Sequence, residues 1–128
     1  MKNYFILLTL NLILFFNLNL SNANSITTFS ENEYSNIIVE GIVKNDYKVV
    51  KYFLTKGLIN ARSVVDGKPL LIHAVINDKP DMVNLLIRYG AQPYEDYCNE
   101  GYNAHEWAVK SQSDYARAEL IVISILNN

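Results

Sequence analysis

The sequence is poor in the residue types from which catalytic and metal centres are usually built. Its 128 residues include one cysteine and two histidines. It contains no His-Glu-x-x-His, Gly-x-Ser-x-Gly or paired-cysteine motif and no glycine-rich phosphate loop. His73 is interpreted as a structural residue, and a Cys98–His105 nucleophile pair would lack a third group to orient it. We therefore expect no enzymatic activity, no cofactor and no metal site.

A single cysteine cannot form a disulfide within the chain. Cys98 is interpreted as a small, partly buried side chain, and a bridge to another molecule or a role as a metal ligand are the alternatives. Without an internal disulfide, the fold must be held together by side-chain packing.

The sequence also lacks an excess of basic residues. It has 11 lysines and arginines against 13 aspartates and glutamates, which gives a net charge of −2. Nucleic-acid-binding domains usually carry a basic patch, so this class of function is excluded. The length allows one domain.

Charge is nearly missing from the N-terminal part of the chain, where Lys2 is the only charged side chain before Glu31. A mostly apolar stretch runs from Phe5 to Leu20, and Ser21 and Ala23 then place small residues at the two positions that a signal peptidase reads. This pattern predicts a signal peptide over residues 1–23, cleaved after Ala23. We expect an exported protein, periplasmic or secreted, with no membrane association after cleavage.

A retained membrane anchor is the alternative. A spanning helix needs about 20 apolar residues, and the shorter run here contains Asn11, Asn17 and Asn19. Cleavage is therefore the favoured interpretation. Residues 24–33 are polar and are expected to form a leader ahead of the folded domain.

The chain from residue 34 onward is periodic. Gly57 and Gly90 are preceded by similar apolar residues. Three of these residues before Gly57 have an apolar counterpart before Gly90 at the same separation as the two glycines. The spacing from Gly67 to Gly101 is longer by one, which indicates a single inserted residue. A period of about 33 residues is typical of a stacked repeat.

Each period carries the signals for two helices. Asp46 and Asp78 are predicted to cap the second helix of a pair, and Gly57 and Gly90 are predicted to end it. Pro80 fits the first turn of the second such helix. A short first helix is predicted in each of the three units: Tyr34–Val43, Leu70–Ile76 and Asn103–Lys110. Small residues stand in these helices where close packing is needed: Gly41, Ala74 and Ala108.

Two segments between the helix pairs are predicted to be turns or fingers. We call Ile59–Gly67 the first finger and Gln92–Gly101 the second finger.

The stretch from Gly67 to Ala74, Gly-Lys-Pro-Leu-Leu-Ile-His-Ala, and the later Leu85–Ala91 resemble the ankyrin-repeat motif. Gly67, Leu71 and Ala74 fit the family pattern, whereas Ile72 replaces its usual histidine. The resemblance implies an all-α solenoid over residues 34–128, with about three helix-turn-helix units near residues 34–60, 64–93 and 98–126.

The resemblance also implies a protein-binding surface on the finger tips and the exposed side of the first helices. Carried over by position, this surface takes residues from the helix ends and from both fingers: Val43, Lys44, Val65, Asp66, Lys68, Ile76, Asn77, Asn99, Glu100, Tyr102 and Lys110. Val43, Val65 and Ile76 are then expected to be solvent-exposed, either as scattered apolar side chains or, in a row across one face, as anchors for a partner.

The second finger is rich in acids and aromatics. Between Arg88 and Lys110 there are four acidic residues and no lysine or arginine. Aromatic side chains are enriched in interface cores, and acids steer basic partners. One interpretation is a contact with a basic protein surface through a further set of residues: Tyr94, Glu95, Asp96 and Tyr97. A solvated acidic loop, with Trp107 as a core residue, is the alternative.

The C-terminal segment Leu120–Leu126 is apolar on every helical face. It is predicted to be a helix with an exposed apolar patch, which could join two copies of the chain. The function expected from the resemblance is protein–protein interaction outside the cytoplasm, with neutralisation of a secreted toxin as the leading hypothesis. An effector that binds host proteins and a structural homodimer are the alternatives.

Overall fold

The computed structural model describes residues 30–127, so the predicted signal peptide and residues 24–29 of the predicted leader lie outside the described residues. The described part of the chain has six helices and one two-stranded antiparallel sheet. In chain order these elements are α1 (Glu31–Val43), α2 (Tyr47–Thr55), β1 (Val64–Val65), β2 (Lys68–Pro69), α3 (Leu70–Ile76), α4 (Pro80–Arg88), α5 (Ala104–Lys110) and α6 (Asp114–Leu126). The all-α repeat prediction is confirmed, with three helix pairs.

The first helix of each pair lies close to its predicted position. α3 has the predicted bounds, and α5 begins one residue later because Asn103 is its N-cap and accepts the backbone N–H of Glu106. α1 begins at Glu31, earlier than the predicted start at Tyr34. The Glu33 carboxylate accepts the backbone N–H of Ser30 at 2.8 Å and so extends the helix into the polar segment.

The three helix pairs share one turn between their helices. Asn45, Asp78 and Gln112 all have a positive φ, of 56°, 50° and 56°. The residue after each donates its backbone N–H to the carbonyl of a small residue in the first helix, at Gly41, Ala74 and Ala108. The same turn recurs because the three small residues let each pair of helices approach closely, and all three are buried.

The prediction that Asp78 caps the second helix of the middle pair is wrong. The N-cap of α4 is Lys79, which is equivalent to Asp46 in the first pair. Asp78 lies in the turn, and its carboxylate accepts the backbone N–H of Ala116 at 2.8 Å. Asp78 therefore caps α6, the second helix of the following pair.

The predicted ends of the second helices are confirmed. Gly57 and Gly90 follow α2 and α4 and have φ values of +66° and +108°, which L side chains rarely adopt. The first finger holds a hairpin that the sequence interpretation did not include. β1 and β2 pair around Asp66 and Gly67, which both have positive φ, as a type I′ hairpin turn requires.

The core lies between the helix pairs. Most of α3 is buried, since this helix is covered on both sides. α1, α4, α5 and α6 all pack against it or against one another. The side chains that fill this space are mostly aliphatic: Ile38, Ile42, Val50, Leu70, Leu71, Ile72, Val75, Met82, Val83, Leu85, Leu86 and Leu120.

Polar contacts also join neighbouring pairs. The Thr55 and Tyr89 hydroxyls are hydrogen-bonded at 2.9 Å, and Asn84 donates to Glu119 at 2.7 Å. The partners are 34 and 35 residues apart, so each bond joins positions about one repeat apart.

The last helix ends the stack with an apolar outer face. α6 buries Ala116 and Leu120. Four large aliphatic side chains remain exposed, the last of them 77% exposed: Ile121, Val122, Ile125 and Leu126. The predicted helix and its exposed patch are confirmed. Among residues 30–127, no helix has both the length and the apolar character needed to cross a membrane.

Candidate functional site

The candidate surface is formed by the exposed side of the first helices, α1, α3 and α5, together with the two fingers. We call it the first-helix surface. Val43 lies exposed near the end of α1, and Lys44 next to it pairs with Glu40. Lys110 is the exposed last residue of α5. These positions agree with the prediction.

The middle helix contributes less than predicted. Ile76 is only partly exposed and packs against the core, so it is not the exposed anchor that the sequence suggested. Asn77 caps the end of α3, and its side-chain amide donates to the carbonyl of His73 at 2.8 Å. Both residues mainly support the helix, because α3 lies between two neighbours.

Val65 was also expected to be exposed, and this prediction is wrong. Its side chain is buried at 8% exposure, whereas Val64 is 56% exposed. Successive residues of a strand point to opposite faces, and here the core takes Val65. His73 Nε2 donates to the carbonyl of Val65 at 2.8 Å and fixes the hairpin to α3. The Asp-Gly pair at residues 66–67 was the available signal for this hairpin.

Asp96 is not a surface charge, contrary to the prediction. It is 7% exposed. Its carboxylate accepts Arg62 Nε at 2.8 Å and the backbone N–H of Gln92 at 2.7 Å. Arg62 lies on the first finger, so this ion pair joins the two fingers and is unavailable to steer a partner.

Glu100 is exposed, but it is not an isolated negative charge. Its carboxylate lies 3.6 Å from Lys68 Nζ and 3.9 Å from Lys110 Nζ. Lys68 belongs to β2 and Lys110 ends α5, so three elements bring these charges together. The acidic character expected of this finger is compensated locally.

The ammonium groups of Lys68 and Lys110 lie near two aromatic rings. Tyr102 and Trp107 meet edge to face with ring centroids 6.0 Å apart. Lys110 Nζ lies 4.3 Å from the Tyr102 centroid and 4.8 Å from that of Trp107, and Lys68 Nζ lies 5.8 Å from the Trp107 centroid. These distances allow cation–π attraction. We call Lys68, Glu100, Tyr102, Trp107 and Lys110 the lysine–aromatic cluster. The sequence interpretation did not include Trp107 in the candidate surface.

The other finger residues have varied roles. Tyr94 is exposed and stacks on His105, with ring centroids 4.3 Å apart. Asn99 donates its backbone N–H to the Gly67 carbonyl at 2.8 Å and so joins the finger tips. Three further predicted residues are exposed as expected: Asp66, Glu95 and Tyr97.

His105 occupies a position that is aliphatic and buried in the other two units, where Ile38 and Leu71 stand. Its Nε2 atom is buried and has no hydrogen-bond partner among the described residues. Burial lowers the pKa of His105 below its ordinary value of 6.5. The side chain is therefore a neutral packing element.

Cys98 is buried, which bears out the structural interpretation of its position. Its Sγ accepts a hydrogen bond from the Trp107 indole N–H, with Nε1 3.2 Å from Sγ. Burial acts to raise the pKa of Cys98, but hydrogen bonds from the Trp107 indole and from the backbone at Tyr102 and Glu100 outweigh it and lower the pKa. Within residues 30–127, no group of three or more His, Cys, Asp and Glu side chains could hold a metal ion.

Three helix pairs with repeating turns and an extended exposed surface define a class of protein, the helical repeat solenoid. The family model for ankyrin repeats, in three copies, matches residues 36–124. The chain therefore belongs to the ankyrin-repeat family. A search of curated proteins and a search of solved structures each found no significant match. Ankyrin repeats are protein–protein interaction modules and are typically non-catalytic, so the protein is an interaction module.

Proposed function

We propose that the protein acts outside the cytoplasm, where it binds a single protein partner on the first-helix surface and masks it. The observation that carries this proposal is the lysine–aromatic cluster, which joins β2 and the second finger to α5 on one exposed surface. Aromatic residues contribute disproportionately to binding free energy at interfaces. Val43 and Val64 add exposed apolar area at the other units. The role is binding without catalysis.

The proposed partner is a secreted toxin that the protein neutralises. A small repeat stack with a large exposed surface suits an inhibitor, because masking a toxin requires contact area and no chemistry. Export is supported by the uncharged apolar stretch within residues 1–23. Cell fractionation and the mass of the exported chain test this part. Cleavage after Ala23 and recovery from the periplasm are expected, and a cytoplasmic, uncleaved chain would contradict it.

The binding experiment uses the tagged chain expressed in its own host. We expect it to recover one toxin in a stoichiometric complex and to restore growth to cells that express that toxin. Tyr102→Ala should weaken both effects, whereas Tyr115→Ala, an exposed tyrosine at the start of α6, should change neither. A chain that forms no stoichiometric complex would refute the proposal. Delivery of the chain into host cells would favour the effector alternative instead.

The exposed face of α6 supports a second candidate function, a structural homodimer. Leu126 and Ile125 are the most exposed of its aliphatic side chains. Light scattering on the purified protein should then show a dimer that becomes monomeric in Ile125→Glu. A monomer at all concentrations would eliminate this candidate.

A further inference from the structure

The charges of the lysine–aromatic cluster do not balance. It holds two ammonium groups and one carboxylate, and Glu100 is the only carboxylate of the described residues that pairs with either lysine. Charge-assisted N–H···O bonds are usually about 2.7–2.9 Å long. The contacts of Glu100 are 3.6 Å and 3.9 Å, so its carboxylate makes no short charge-assisted hydrogen bond to either ammonium. A second carboxylate could therefore bind here.

Two of the acids near the cluster make their own contacts outside it. Asp96 is paired with Arg62 beneath the surface. The Glu106 carboxylate accepts the backbone N–H of Asn103 at 2.8 Å and caps α5. The cluster on the acid-rich second finger thus holds one more ammonium group than carboxylates.

The rings determine where the ammonium groups lie. Trp107 is partly buried and is fixed through its Nε1 hydrogen bond to Cys98. Lys68 approaches this ring from one element and Lys110 from another, while Tyr102 borders Lys110. The side chains of Lys110 and Glu100 are about half exposed, at 48% and 50%, and that of Lys68 is 27% exposed. A carboxylate from solvent can therefore reach the ammonium groups without rearrangement of the backbone.

We propose that Lys68 and Lys110 bind a carboxylate on an acidic segment of the protein partner, and that Glu100 occupies this site as an internal competitor in the unbound chain. Trp107 and Tyr102 form the apolar floor against which the aliphatic part of the incoming Asp or Glu side chain packs. The partner of this surface is therefore acidic, and not basic. This inference names the chemistry of the partner and rests on the proposed function.

Trp107 is the only tryptophan in the chain, so its fluorescence reports on this site directly. The probe is a blocked hexaglutamate peptide, with blocked hexalysine as its counterpart. Hexaglutamate should change the emission of the purified protein in a saturable way, and more weakly at high salt because screening reduces the attraction. Lys68→Gln and Lys110→Gln should each weaken its affinity about fivefold.

Two variants sharpen the test. Lys51→Gln is the matched control, since Lys51 also lies over a ring, that of Tyr47 on α2, but away from the cluster. It should leave the affinity unchanged. Glu100→Gln removes the internal competitor and should tighten hexaglutamate binding severalfold. If Glu100 instead attracts a basic partner, hexalysine will bind and Glu100→Gln will abolish its binding, which would overturn the proposal. No response to hexaglutamate would also overturn it.

The inference and the proposed function can fail separately. If the chain captures its toxin with an affinity that Lys68→Gln and Lys110→Gln do not change, this inference is wrong and the proposed function survives. If hexaglutamate binds as expected but no stoichiometric protein complex forms, the carboxylate site is real and the proposed function is wrong.

Discussion

Arg62 on the first finger and Asp96 on the second finger form an ion pair between positions 34 residues apart, with Arg62 Nε 2.8 Å from Asp96 Oδ1. The carboxylate is buried while the guanidinium is about half exposed. The same carboxylate accepts the Gln92 backbone N–H and so shapes the second finger from within. One side chain therefore couples the conformation of one finger to the position of the other.

Asp96→Asn keeps the shape of this side chain but removes its charge. We expect it to lower the free energy of unfolding by about 2 kcal/mol, because hydrogen bonds to charged groups contribute about that much. Urea unfolding monitored by circular dichroism measures the change. Glu95→Gln is the matched control, since Glu95 is an exposed acid on the same finger, and its effect should stay within about 0.5 kcal/mol. Equal effects of the two variants would contradict the structural role of Asp96.

A second prediction concerns the contact between the finger tips. Gly67 has a φ of +74°, and a Cβ there would lie 2.6 Å from Asn99 Nδ2. Gly57 has a similar φ of +66° with nothing within 4 Å of its Cβ position. Gly57→Ala should therefore lose only the conformational term of about 1 kcal/mol, and Gly67→Ala should lose more. Thermal unfolding of both variants measures the difference. A Gly67→Ala protein as stable as Gly57→Ala would show that Asn99 moves aside freely.

The repeat architecture was predictable because its signals are local and recur. Gly57 and Gly90 each mark the end of a helix by a local signal, and the spacing between them identifies the period. The same period also gives the correct cap of α4. Asp46 caps α2, and the residue that follows it at the Gly57–Gly90 spacing is Lys79, not Asp78. The repeat spacing was thus a better guide to the N-cap of α4 than the preference of aspartate for N-cap positions.

The properties of the candidate surface were less predictable because they depend on contacts between units. The sequence shows four acids on and after the second finger, but it does not show that Arg62 and Lys68 come from the preceding unit to pair with two of them. The exposure of Val64 and the burial of Val65 likewise depend on the register of the hairpin. Composition alone therefore did not reveal that two of these acids have basic partners from the preceding unit.

A third prediction follows from the contact between Asp78 and the start of α6. The Asp78 carboxylate accepts the Ala116 N–H, whereas the N-cap residue Ser113 makes no side-chain cap bond to its own helix. Asp78→Ala should lower the free energy of unfolding by about 2 kcal/mol, since it removes a cap and places alanine at a φ of +50°. Asp78→Asn keeps the acceptor oxygen and tolerates this φ, so it should change stability by less than about 0.5 kcal/mol. Chemical denaturation compares the two, and an equally destabilised Asp78→Asn protein would show that charge, and not capping, is what matters.

The last prediction concerns the pH dependence of stability at His105. Because burial lowers its pKa in the folded chain, the unfolded chain takes up a proton more readily as the pH falls below about 6.5. The contribution of this residue to stability therefore decreases from about pH 6.5 down to its lowered pKa and stays constant above pH 6.5. His105→Leu restores the aliphatic residue type of the equivalent positions Ile38 and Leu71 and removes the buried Nε2 atom that lacks a partner.

His105→Leu should accordingly stabilise the protein by about 1 kcal/mol at pH 7, and the gain should be larger at pH 5.5. Urea unfolding of both proteins at several pH values between 5 and 8 measures this difference, and all other titrating groups cancel because they are common to both. Tyr94 keeps an apolar partner for its ring in the variant, so the second finger should retain its structure. If the gain were the same at every pH, His105 would not titrate with folding in this range. A loss of stability would mean that its stacking on Tyr94 outweighs the unpartnered nitrogen.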